Sequence, residues 1–356
     1  MMQLLSQKRP PSSMLGLSLD GSRLTGVLLR RSNGSLLVQK TLHASLALNP
    51  LNGDPELVGR EIRNNLDQAG LRERRCVLGV PLSWALTLQV AVPELPEADL
   101  ASFLEIEAER GFPYAPEALA LASSLCRPEA GERLATLVAV PRNHLLQMEA
   151  VMKAAQLRPV SFSFGLPALA DPARDSATGL IALTLGETAV ELQVNCHGGV
   201  AALRSIEEAV HWEGAHKVLI ASVVIREIRV TLGQLSDAYR KTVRKVRLYG
   251  NGEAAAELAR DLAAAVGRLG LEFEHITAYV GDEFRSRPPA GTTVSPTFSL
   301  AARHLTGLGS PFEFLPPKVS PLRRLTARIS SRKLGWIGAP AAAVVLIAGV
   351  AILAQQ

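Results

Sequence analysis

MLGLSLDGSRLTGVLL, residues 14–29, alternates apolar with small or polar residues on both sides of Asp20-Gly21. Such alternation marks half-buried strands, and an Asp-Gly pair between two of them is a strong signal for a two-residue hairpin. Leu15, Leu17 and Leu19 share one face of the first strand, and Leu24, Val27 and Leu29 carry the second. A close counterpart, IALTLGETAVELQV, occupies residues 181–194, with Gly186-Glu187-Thr188 between its two runs. A chain that makes the same hairpin twice is read as two α/β halves.

Working outward from the first hairpin, Ser32-Asn33-Gly34-Ser35 marks a turn and residues 36–42 a third strand. A helix is expected from Asp54, with Pro55 in its first turn, Leu57, Val58, Ile62 and Leu66 on one face, and Gly70 as its stop. Residues 76–80 read as a buried strand. An α+β segment follows: a strand at 86–92, a helix opened by PELPEADLASFLEIEAERGFPY, strands at 119–125 and 134–140, and a helix at 143–156. In the second half, residues 246–249 form a strand, Gly250-Asn251-Gly252 a turn and residues 253–266 an alanine-rich helix, with a last helix at 297–305. The expected organisation is a disordered segment 1–13, a first lobe 14–170 with an α+β insert at 82–160, a second lobe 178–307, a linker 308–333 and a transmembrane helix 334–354. Two halves that each open with a hairpin are the topology of the actin-like ATPase (RNase H-like) fold, an α/β class.

Composition narrows the function. Of 356 residues, 47% are hydrophobic and only 4% aromatic. So few rings argue against a stacking surface for single-stranded nucleic acid, and no nucleic-acid partner is expected. The formal charge is +5, and Arg323, Arg324, Arg328, Arg332 and Lys333 concentrate much of it. Directly after them, LGWIGAPAAAVVLIAGVAILA (residues 334–354) carries no charge. About 20 apolar residues at 1.5 Å each cross a hydrocarbon core of roughly 30 Å. The alternative is a buried helix, which rarely lacks every polar residue. The positive-inside rule then puts the first 333 residues in the cytoplasm of a single-pass inner-membrane protein. Residues 1–11 lack the apolar core of a signal peptide. Cys76, Cys126 and Cys196 have no metal-ligand spacing to the seven histidines, and read as reduced core cysteines.

The two turns decide the chemistry. Phosphate-binding turns of this fold present backbone N–H groups and hydroxyls, with an acidic residue just before each turn for Mg²⁺ or the attacking water. Here Ser18 and Thr184 stand at those acidic positions. Within the turns, Asp20-Gly21-Ser22 and Gly186-Glu187-Thr188 place carboxylates where phosphates would lie. The expected cleft keeps its fold and has lost its catalysis, with no catalytic residue, no metal site and no required cofactor. The alternative is a working Mg-ATP site in an ATPase or kinase relative, with Asp20 as the metal residue. Strand–Gly250-Asn251-Gly252–helix is the candidate for an adenosine contact, although such turns are common in α/β proteins. His197 and His211 read as surface residues. Glu105, Glu107 and Glu109 cannot share one helix face. The basic group Arg240, Lys241, Arg244, Lys245 and Arg247 reads as a solvated face or a contact for anionic lipid or an acidic partner.

GLSLDGSRLTGVLL resembles the opening hairpin of the PilM family, the cytoplasmic actin-like proteins of type IV pilus machines. VLGVPLSWALTLQVAVPELPEADLASFLEIEAERGFPYAPEAL is similar to that family's extra subdomain, through Leu95-Pro96, Leu100, Ile106-Glu107-Ala108 and Phe112-Pro113. The second hairpin, LYGNGEAAAELARDLAAAVG and FSLAARHL follow in the same order, so the resemblance covers residues 14–307. SPFEFLPPKVSPLRRL, before the apolar segment, resembles the N-terminus of the PilN family, a short peptide that docks on PilM; Phe312, Phe314, Leu315 and Pro316 would form its core. An actin-like domain joined to a span is also the plan of the GspL family of type II secretion. The resemblance implies an assembly scaffold whose partners are platform subunits and a motor ATPase, with lipid met through one span and a homo-oligomeric or ring arrangement. A membrane-attached FtsA-like filament protein is the remaining alternative; that family uses an amphipathic helix rather than a span.

Overall fold

The computed structural model describes residues 12–315 apart from 174–177, 215 and 282. Residues 12–315 belong to one compact unit. The linker from Pro316, the apolar segment 334–354 and residues 1–11 lie outside the described residues. Among the described residues, no helix is long and apolar enough to cross a membrane.

The duplication read from the two hairpins is present as two five-stranded sheets of the same order. In the first lobe, β1 (Ser13–Asp20), β2 (Arg23–Ser32) and β3 (Ser35–Ser45) form an antiparallel meander. Helix α1 (Pro55–Gln68) crosses over to β4 (Arg75–Val80), which pairs parallel with β1. Asp54 caps α1 by accepting from the N–H groups of Glu56 and Leu57 at 2.9 and 3.1 Å. An edge strand, β8 (Arg158–Phe164), completes the order β3-β2-β1-β4-β8. In the second lobe, β9 (Gly179–Leu185), β10 (Val190–Cys196) and β11 (Gly199–Ile206) repeat the meander. The parallel strands β14 (Val243–Tyr249) and β15 (Glu272–Ile276) extend it to β11-β10-β9-β14-β15. Helices α5 (Ala221–Gln234), α6 (Asp237–Arg240) and α7 (Glu253–Gly267) surround this sheet, and a two-stranded ribbon joins β12 (Val210–Glu213) to β13 (His216–Leu219).

The insert is smaller than residues 82–160. A three-stranded sheet of β5 (Leu86–Val92), β6 (Leu119–Cys126) and β7 (Arg133–Pro141), with α2 (Glu97–Gly111), ends at Pro141. Helix α3 (Arg142–Ala154) instead packs on α1, burying Leu145, Met148, Val151 and Met152 in the first lobe's core, and β8 is part of the main sheet. The physical reason is the apolar face of α3, which matches that of α1: a side chain at Gly59 of α1 would collide with Ala154 and Ala155.

The lobes meet over α8 (Pro296–Thr306), the last helix, which follows the short α4 (Gly165–Leu169) in the same junction. Phe298, Leu300, Ala301, Ala302 and Leu305 of α8 join Met14, Val27, Leu29 and Val77 of the first sheet with Ala182 and Tyr249 of the second. This close approach requires Gly16, because a Cβ there would lie 2.4 Å from the Thr297 carbonyl oxygen. Arg303, 6% exposed, is held by Asp171 (Nη1 to Oδ2, 2.6 Å) and by the Gly309 carbonyl (Nε, 2.8 Å).

Candidate functional site

Both hairpin tips project into one cleft, lined by Ser18, Leu19, Asp20, Arg23 and His43 on one side and by Thr184 to Ala189, Glu191 and Lys217 on the other. Its cavity is about 290 Å³. The tips bond to each other. The Asp20 carboxylate accepts from the backbone N–H of Glu187 and, at 2.9 Å, from the hydroxyl of Thr188. Gly186 makes this possible, because a Cβ there would sit 2.6 Å from Asp20 Oδ2. Glu187 is answered by Arg23 at 3.0 Å and Lys217 at 4.0 Å, and Lys217 also donates to the Gly186 carbonyl. Trp212 Nε1 donates to the Glu187 carbonyl at 3.4 Å, so the ribbon grips the second turn from behind.

The other residues singled out in the turns do less. Thr184 is buried in the cleft wall, and its hydroxyl donates to the Tyr249 carbonyl at 3.2 Å, tying β9 to β14. Ser18 lines the cavity, while exposed Ser22 offers its carbonyl to the Leu46 N–H at 2.7 Å. Gly21 adopts φ +58°, as the hairpin turn demands. Gly250 and Asn251 line a neighbouring cavity of about 550 Å³ with Tyr249, Ala255 and residues 291–298. The Gly250 N–H donates to Ile276 at 3.1 Å and its carbonyl meets His275 Nε2 at 3.0 Å. Gly252 caps α7 at φ +89°.

Electrostatically, the cleft has an anion in the position where the turn donors would receive a phosphate. Two donors of the second turn, the Glu187 N–H and the Thr188 hydroxyl, are taken by Asp20, and Arg23 and Lys217 pair with Glu187. A Mg–triphosphate complex does not fit this set. Glu191, half-buried beside Asp20, is the residue the sequence reading missed. Burial and the Asp20 charge push its carboxyl up to about 8, against a bond from the Leu82 N–H. Burial also lowers Lys217 below the ordinary lysine range, although Glu187 and Asp20 pull the other way. Substituting Asp20 by asparagine should lower the unfolding free energy by about 1–3 kcal/mol, since charged hydrogen bonds are worth that much. Urea melts of the two proteins read this directly.

A second site lies on the edge strand β8. Phe312 is fully buried and Phe314 is 5% exposed, both in the first lobe's core. Their rings meet Phe164 edge-on, at centroid distances of 6.2 and 5.0 Å. The Phe314 N–H donates to the Phe162 carbonyl at 2.9 Å. Between the rings, Glu313 Oε1 accepts from the N–H groups of Phe162 (3.2 Å) and Leu315 (3.0 Å). Both backbone groups of Phe162 that an edge strand leaves open are therefore answered by the tail. Burial pushes the Glu313 carboxyl above the usual range, against these bonds. Pro316 lies outside the described residues.

No family model matches the sequence, and no curated protein matches it. Solved structures do. The PilM–PilN type IV pilus biogenesis complex aligns with a TM-score of 0.59 at 18% identity, over 85% of this chain and 98% of the other. The cytoplasmic domain of EpsL, an inner-membrane component of the type II secretion system of Vibrio cholerae, aligns with a TM-score of 0.47 at 12% identity, over 86% and 98%. A Bacteroides thetaiotaomicron protein of unknown function, described as having an actin-like ATPase fold, gives 0.45 at 8% identity over 77% and 94%. The chain shares the fold seen in the PilM–PilN type IV pilus biogenesis complex.

Proposed function

We propose that the chain is a non-enzymatic scaffold of a type IV pilus or type II secretion assembly platform, anchored in the inner membrane by residues 334–354. Its cytoplasmic domain is degenerate toward nucleotide, and its partners are platform subunits and a motor ATPase. The likeness in fold to the PilM–PilN complex and the docked Phe312–Leu315 peptide support the assembly role. The observation that carries the loss of nucleotide is Asp20, whose carboxylate sits on the second turn's own donors. With the turns bonded to each other, the lobes are held closed by side chains, and conformational state passes through the domain without nucleotide exchange. Attaching the tail in cis raises its effective concentration to about the millimolar range, so the edge of β8 stays covered.

Titrating Mg-ATP into the full chain in a calorimeter tests this reading, and no binding heat is the expected result. Micromolar binding would return a nucleotide switch to first place. One observation favours a second reading: the cavity beside Gly250 and Asn251 is large enough for a nucleoside. Adenosine without phosphates, used in the same titration, addresses it.

A further inference from the structure

The end of the first sheet opposite the cleft is lined with arginine. Ser13 opens β1 there, paired with Arg30 of β2, and Arg75 opens β4, paired with Arg158 of β8. Arg31 follows Arg30, and Arg72 and Arg74 precede Arg75. All of these arginines are exposed except the half-buried Arg31. Among the described residues, none of the six makes an ion pair. The carboxylate among them, Glu73, is turned to its own loop: it accepts from Ser13 Oγ and from the backbone N–H groups of Arg74 and Arg75, at 3.0 Å each. Arg75 and Arg158 occupy paired positions on adjacent strands, where like charges repel unless an anion lies between them. Leu37, 45% exposed, is the register partner of Arg30 and adds an apolar contact to the same rim.

We propose that this arginine rim is a docking surface for anionic phospholipid headgroups. Guanidinium forks match phosphate oxygens two at a time, and five of the six are exposed to solvent. The choice of lipid over an acidic protein follows from where the chain goes next. Phe314, next to the last described residue, bonds to Phe162, four residues along β8 from Arg158, or about 13 Å at 3.3 Å per residue. The sequence beyond it adds the five cations of 323–333 and then the uncharged residues 334–354. This choice rests on reading 334–354 as a span. Basic residues close to an anionic leaflet add attraction that salt screens, and the rim would hold the domain with its cleft pointing away from the bilayer.

The full chain, mixed with phosphatidylcholine vesicles with or without phosphatidylglycerol, tests the proposal by hydrogen exchange. Phosphatidylglycerol should slow exchange in residues 28–38 and 71–76 about tenfold at low salt, and high salt should reverse the effect. The triple variants R72Q/R74Q/R75Q and R72E/R74E/R75E should lose the protection while keeping the circular dichroism of the parent. R30Q/R31Q, on a different strand, gives an independent reading if either triple variant fails to fold. Equal exchange in both vesicles overturns the proposal, as does protection by a polyglutamate peptide but not by lipid. Failure of the span reading shows separately, as a chain that does not associate with phosphatidylcholine vesicles, and the phosphatidylglycerol effect on the rim is scored regardless.

Discussion

Replacing Phe312 by alanine should lower the unfolding free energy by about 3–5 kcal/mol, the cost of emptying an aromatic site in a packed core. The ring is fully buried and meets Phe164 edge-on at 6.2 Å, within a cluster that includes Phe162 and Leu145. Tight packing of this kind leaves little room for collapse around a vacated ring. Detaching the tail also uncovers Phe162, whose carbonyl and N–H are answered by Phe314 and Glu313. Exchange at residues 160–164 should therefore accelerate along with the loss of stability. Leu315, only partly buried against the same cluster, should cost less when truncated. Urea melts and hydrogen exchange on the full chain measure both effects. A loss under about 1 kcal/mol at Phe312, far below the large-to-small range, would mean that the domain does not depend on its tail and that residues 312–315 form a mere connector.

What the sequence disclosed and what it hid differ by range. The hairpins were legible because Asp20-Gly21 and Gly186-Glu187-Thr188 are local turn signals set between alternating runs. Their duplication therefore predicts the two equivalent sheets. The aromatic character of residues 312–314 was equally local. The insert boundary was not: α3 follows β7 in the chain, and only its contact with α1, through Gly59, shows which lobe it serves. Asp20 was read as an anion that would repel a triphosphate. Its bonds to Glu187 and Thr188 join residues 167 and 168 positions apart, which no local pattern encodes. The same holds for Arg303 and Asp171, and for Lys217 behind the second turn. Arg23 gave no such signal, because the sequence reading sets Asp20-Gly21 as the turn, whereas the chain turns at Gly21-Ser22 and pairs Asp20 with Arg23. Glu191 had none; a polar residue on the alternating strand β10 reads as solvent-facing until the other lobe covers it.

Glu191→Gln should stabilise the protein in alkaline solution and leave it nearly unchanged in acid. The carboxyl sits on β10 opposite Thr184, half-buried and close to Asp20, and its pKa rises from 4.5 to about 8. Burial is the larger cause and the Asp20 charge the second. A carboxyl whose folded pKa is raised holds a proton that the unfolded chain releases above pH 4.5. Below that pH both states are protonated and Glu191 has no effect on stability. Between 4.5 and about 8 folding loses roughly 1.4 kcal/mol per pH unit, and above 8 the full penalty of several kcal/mol is present. Glutamine keeps an acceptor for the Leu82 N–H and never ionises, so the gap between the variant and the parent should open through this window and then level off. Comparing the two proteins at each pH cancels the contributions of the other polar groups that line the same cleft. The Asp20→Asn background supplies the second half of the test. With the neighbouring charge gone, the Glu191 pKa should fall, and the gap should begin to level at a lower pH. Melting curves of the four proteins from pH 4 to 9 decide the matter: a gap that stays constant with pH would mean that Glu191 is solvated and that the closed cleft does not confine it.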